Sequence, residues 1–170
     1  MVTSLLLIFF AQAQEYTWWD GDKQKKSYLI KNKFIDFSRN TLPETISRPR
    51  VRISGAYLVE ATAIETEAFL SATPKLLSPA FANTKNGSIA RALPGGILIR
   101  FKPEVSEENQ EKWFLKNELK VLRTTKTIAG KLFLIETPSG ISSLEIANQI
   151  YQDSMIEFST PNWWNNLKLM

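Results

Sequence analysis

The spacing of apolar side chains changes several times along this chain, and it is most regular from Gly96 onward. Ile97, Ile99 and Phe101 alternate with Leu98, Arg100 and Lys102, the period of a strand with one buried face, and Pro103 ends it. Ser106 is an apt N-cap for a following helix. Glu107, Glu108 and Glu111 place negative charge near the positive end of its dipole, and Trp113, Phe114 and Leu119 supply apolar bulk. Lys120 to Lys126 and Lys131 to Thr137 predict two strands around Ala129-Gly130. A second helix is predicted from Ser142 or Ser143, with Leu144, Ala147, Ile150 and Tyr151 as its buried stripe, and Ile156 to Thr160 forms a last strand stopped by Pro161. This order of elements predicts an α+β, ferredoxin-like βαββαβ unit: a four-stranded antiparallel sheet with two helices on one face. The other face of such a sheet is left free, and a free face takes either polar residues or a partner.

Upstream the pattern is β-rich. Tyr16 to Trp19 runs through Asp20-Gly21 into Lys23 to Ile30, a hairpin signal, because a primed turn needs positive φ. The tandem tryptophans read as hairpin packing, and Lys23, Lys25 and Lys26 beside Asp20 and Asp22 as a solvated turn. Lys33 to Phe37 predicts another strand. Ser38 to Arg50, broken by Pro43 and Pro49, predicts a loop or linker. Val51 to Ala61 predicts a strand and Thr62 to Ser71 a helix. Pro79 to Phe81 and Ser88 to Ala92 predict hairpin arms around Thr84-Lys85-Asn86-Gly87. The organisation expected is a β-hairpin-rich extension over 14–94, the compact unit over 95–164 and a C-terminal tail over 165–170.

Before that extension, Ser4 to Phe10 is apolar and is followed by Ala11-Gln12-Ala13, a small-x-small pattern. Residues 1–13 are therefore expected to be a secretory signal peptide, even though no Lys or Arg precedes the apolar run, and the chain to be secreted or extracytoplasmic. The apolar run is too short to span a bilayer, so stable membrane insertion is not expected.

Composition narrows the chemistry. A chain of 170 residues that is 44% hydrophobic can bury a core. It contains no histidine and no cysteine, which removes imidazole bases, thiol nucleophiles, disulfides and the usual zinc and iron–sulfur ligands. No catalytic residues, metal ligands or cofactor are assigned, and an enzyme is not expected. Glu107-Glu108 reads as dipole compensation rather than a catalytic pair. The 21 basic and 17 acidic residues give a net charge of +4, scattered rather than clustered by sign, which argues against nucleic acid as a partner.

The run Gly96 to Pro103 followed by Val105-Ser106-Glu107-Glu108 is similar to the opening of the N-terminal propeptides of subtilisin-like serine proteases. Ser143 to Tyr151, then Ile156 to Trp163 with Pro161-Asn162, resembles the closing helix and strand of fervidolysin-type members. The resemblance covers Gly96 to Trp163; the aromatic hairpin and Leu77 to Phe81 resemble the extensions of some bacterial members more loosely. The resemblance implies a domain that packs its free sheet face on the protease, assists its folding and inhibits it, in cis or in trans. It implies that Leu167, Lys168, Leu169 and Met170 form a tail in the protease cleft, and the chain is expected to be either a stand-alone binder or truncated from its catalytic domain.

Two other classes share the element order: RNA-recognition motifs and small-molecule sensors. The third strand of the unit, Lys131 to Glu136, carries a single aromatic residue and an acidic end, so the base-stacking platform of the first is missing. Nothing in the sequence marks a pocket for the second.

Overall fold

The computed structural model describes residues 14–38, 51–72 and 76–166. The expected signal peptide, residues 1–13, lies outside the described residues, as do Leu167 to Met170 and all of the expected linker except Ser38. The fold is α+β, with two antiparallel sheets and three helices among the described residues. None of the described helices is long and apolar enough to cross a membrane.

The first sheet begins with the aromatic hairpin, β1 (Glu15–Asp20) and β2 (Lys23–Asp36), joined by a tight turn in which Gly21 takes φ 64°. Lys23, Lys25 and Lys26 lie in β2 rather than in the turn, and Lys26 pairs with Glu15 at 2.8 Å. Lys33 to Phe37 is not a separate strand. β2 runs on to Asp36 through an irregularity between Leu29 and Phe34, where Asn32 takes φ 59° and its carbonyl accepts the amide of Ala61. The single strand expected over Val51 to Ala61 is a hairpin, β3 (Val51–Ile53) and β4 (Ala56–Glu60). Ser54 (φ 44°) and Gly55 (φ 82°) form its turn, a pair of positive φ values that an apolar-run reading does not detect.

Helix α1 (Ala63–Ala72) follows as expected, and β5 (Leu77–Ala82) pairs with β2 and with the short β6 (Arg91–Ala92). The β5–β6 connection is a wide loop over 83–90. Asn86-Gly87 is not a two-residue hairpin turn, since the register pairs Phe81 with Arg91.

The second sheet contains β7 (Ile97–Phe101), β8 (Val121–Thr127), β9 (Gly130–Ile135) and β10 (Ile156–Pro161) in the order β10-β7-β9-β8, antiparallel throughout. Helix α2 (Glu107–Lys116) is capped by Ser106, whose side chain accepts the amide of Asn109. Helix α3 (Ile141–Tyr151) starts earlier than expected, at the residue after Gly140, and Ser143 is buried within it, donating to the Gly140 carbonyl. Gly95 and Gly96 enter β7 at φ 100° and 82°. A Cβ on Gly95 would stand 2.8 Å from the Thr137 carbonyl oxygen, so the close approach of the two chains there requires glycine.

One core lies between this sheet and the two helices: Ile97, Ile99, Phe101, Phe133, Ile135 and Ile156 meet Trp113 of α2 and Ala147 of α3. Trp113 also donates to Asp153 at 2.8 Å, fastening α2 to the end of α3. Of the stripe expected on α3, Leu144 and Ala147 are buried, but Ile150 and Tyr151 are only partly so. The helix is contacted from two directions. Ile146 and Ile150 flank the core of the second sheet, while Leu144 joins Trp18, Phe81 and Leu93 in a cluster of the first, and Tyr151 stacks on Trp19 at 4.5 Å.

The strand from Ile156 ends at Pro161 as expected, but with Pro161 as its final paired residue, and it is not the last strand. Pro161 pairs with Ile97 at the end of β10, and the chain continues to β11 (Trp164–Asn165), which joins β6 at the edge of the first sheet. Trp163 packs in the cluster around Phe81, and Trp164 in another around Ile35, Ala80 and Ala92.

Candidate protein-docking face

Strand alternation gives the second sheet two chemically different faces. The helix-facing side carries Ile97, Ile99, Phe101, Phe133 and Ile135, all buried. The opposite side carries a row that crosses all four strands, Thr160, Leu98, Leu134 and Arg123, each opposite the next in the register; Thr160 is buried, so the open part of the row begins at Leu98. Beside that row lie Phe158 opposite Arg100, and Leu132 opposite Thr125. Leu98, Leu132, Leu134 and Phe158 are neither buried nor fully exposed, and none belongs to a buried cluster of the described residues. Three leucines and a phenylalanine side by side are more apolar than a solvated sheet face requires.

The two arginines at the margins of the patch differ in how they are held. Arg100 lies 5.6 Å from the centroid of the Phe158 ring, and its Nε donates to Glu157 at 2.8 Å. Glu157 reaches that position because it falls at the irregularity between Ile156 and Phe158 in β10, which sets it outside regular pairing. The guanidinium thus lies over an aromatic ring at the margin of the apolar patch, within cation–π range. Arg123 at the opposite margin is exposed and makes no ion pair with any described residue.

At one end of the sheet, between the start of α2 and the β8–β9 turn, a cleft of about 710 Å³ opens, floored by Phe101 and Phe133. Lys131 and Glu107 pair at its rim at 2.7 Å, and this hydrogen bond from Lys131 holds the Glu107 carboxyl below the usual carboxylate range. Among the described residues no group of three or more acidic side chains is placed to hold a metal ion.

The expected cleft-binding residues Leu167, Lys168, Leu169 and Met170 lie outside the described residues. The residues just before them are anchored. Asn165 belongs to β11, the Asn166 amide donates to the Ala90 carbonyl, and the Asn166 side chain donates to Ile89 and accepts from Ser54. Sequence reasoning anticipated a free sheet face but not its members. Their signal was available in the out-of-phase positions of the strands, Leu98, Leu132 and Leu134, which are apolar where a solvated face would be polar.

No protein-family model, curated protein or solved structure matches the chain.

Proposed function

We propose that this chain is a binding protein that docks the open face of its second sheet on another protein, and that the partner is a subtilisin-like serine protease. The strand order β10-β7-β9-β8, with α2 and α3 both packed on the opposite face, supports reading residues 95–164 as a ferredoxin-like, prodomain-like unit. The observation that carries the proposal is the cross-strand patch of Leu98, Leu132, Leu134 and Phe158 between Arg100 and Arg123. Aliphatic side chains of this kind pack on the flat side of helices, whereas single-stranded nucleic acid is held by several stacked aromatic rings, and Phe158 is the single aromatic side chain among those residues.

On this reading the chain holds the protease inactive and assists its folding, acts outside the cytoplasm, and places Leu167, Lys168, Leu169 and Met170 in the substrate cleft as a product-like tail. Docking through the face and occupation of the cleft are separable. The test is inhibition of several subtilisin-like proteases by the full chain and by a chain ending at Asn166, with an unrelated serine protease as control. The full chain should inhibit at least one subtilisin-like enzyme and leave the control untouched, and the shortened chain should inhibit more weakly. Failure of the folded full chain against all of them overturns the protease assignment; equal potency after shortening overturns the role of the tail.

A further inference from the structure

Strand β8 ends the second sheet, and all seven of its residues, Val121 to Thr127, are exposed. It pairs with β9 on one side and with no described strand on the other. Thr127 and Gly130 flank a two-residue turn and face each other in the register. The residues closing such a hairpin exchange their backbone hydrogen bonds, and alternation then gives Thr125 and Arg123 to β9 as well. The N–H and C=O groups of Thr124 and Lys126 consequently point away from the sheet, as the template for one more strand. Thr124, Thr125 and Thr127 are β-branched and favour the extended backbone that such pairing needs.

The charge along this edge has one sign. β8 contains Arg123 and Lys126 and no acidic residue. Glu107 is hydrogen-bonded by Lys131 and also feels the charge of Lys126, and Glu136 pairs with Lys120 at 2.9 Å, so the charge of this edge left without an ion pair is chiefly that of Arg123. Basic side chains on an edge strand oppose pairing with a second copy, which would add like charge to an edge that is already basic. They favour an acidic strand for the same reason. Arg123 lies opposite Leu134, on the open face, and Lys126 opposite Lys131, on the helix side.

We propose that β8 is a second docking site, distinct from the open face, which accepts an extended acidic segment of a partner protein as a fifth strand. Because Arg123 and Lys126 are three residues apart and project to opposite faces, the matching segment carries two carboxylates three residues apart within β-prone sequence.

The probe is a blocked peptide, Thr-Val-Glu-Thr-Val-Glu-Val-Thr, added to the full chain at low salt, with a version carrying Lys in place of both Glu as control. The readout is hydrogen-exchange protection of the Thr124 and Lys126 amides together with the dissociation constant. The acidic peptide should protect both amides, and Arg123→Glu, which leaves the backbone intact, should weaken binding about tenfold or more. A face variant remote from β8, Phe158→Glu in β10 at the opposite side of the sheet, should leave peptide binding unchanged, which separates this site from the one proposed above. Absence of protection at about 1 mM peptide, corresponding to an affinity too weak to matter, overturns the proposal. Equal binding of the Lys peptide, or protection that arises instead from self-association seen by sedimentation, overturns it too.

Discussion

Replacing Leu144 by alanine should destabilise both sheets at once. Leu144 is 3% exposed and lies among Trp18, Phe81 and Leu93, with Tyr16 and Trp163 beside them. Removing its three outer carbons forfeits about 2 to 2.5 kcal/mol of transfer free energy at ~0.8 kcal/mol per methylene. The rings around it are themselves clamped, Phe81 against Tyr16 and Trp163, so the cavity collapses little and the total loss is about 3–4 kcal/mol. That is a large part of the ~5–15 kcal/mol that holds a domain folded, and corresponds to a fall in Tm of roughly 6–16 °C for a chain of this size. Because Ala147, one turn further along the same helix, belongs to the core of the second sheet, the loss should be shared. Urea unfolding followed by tryptophan fluorescence and by far-ultraviolet circular dichroism should shift as one transition. Two separated transitions, or a loss below about 0.5 kcal/mol, the scatter of surface substitutions, would refute the reasoning.

Arg91→Met should cost about 1–3 kcal/mol in the same unfolding assay, since the guanidinium lies 5.2 Å from the centroids of both Trp18 and Trp163 and donates to Asn83 at 2.7 Å. Burial lowers the pKa of Arg91, so an unchanged or raised stability would mean that desolvation outweighs both ring contacts. Acid should weaken the fold modestly. Hydrogen bonds from Lys26, Lys33 and Lys131 depress the carboxyl pKa values of Glu15, Glu60 and Glu107. Groups with depressed folded-state values contribute stability near neutrality that disappears as pH falls below about 4.5 through those values. Tm should therefore decline on acidification in low salt and less so in ~1 M salt, where exposed pairs are screened; a Tm that rises on acidification would contradict this.

The second sheet was far more legible in the sequence than the first, and the reasons are local. β7, α2 and α3 each obey one period over their whole length, and Ser106 and Pro103 punctuate them. β2 does not: Asn32 at positive φ shifts its phase midway, so one strand of 14 residues reads as two. The β3–β4 hairpin was missed although Ser54-Gly55 is a turn dipeptide, because the β-prone residues Val51, Ile53 and Tyr57 to Val59 on both sides read as one strand. β11 was missed since its two residues owe their pairing to β6, a contact far away in sequence, and not to their own pattern. Ile150 and Tyr151 share the spacing of Leu144 and Ala147, yet helical spacing cannot tell which part of a stripe will be covered when different sheets contact different sides of one helix. The docking face was legible as a vacancy and illegible as a surface. Its rows depend on the register between strands, and Arg100 reaches Phe158 across a strand boundary.

The central claim is that the open face, and not merely some part of the chain, binds the protease. It is tested most directly by the inhibition constant of the full chain against a subtilisin-like protease, compared with Leu134→Glu at the centre of the face and Lys112→Gln on the exposed side of α2. Circular dichroism establishes that all three are folded. A carboxylate among Leu98, Leu132 and Phe158 must be desolvated on docking, so Leu134→Glu should inhibit about thirtyfold or more weakly, the loss of ~2 kcal/mol that marks a hot spot. Lys112→Gln should match the original chain. Undiminished inhibition by folded Leu134→Glu would contradict the account.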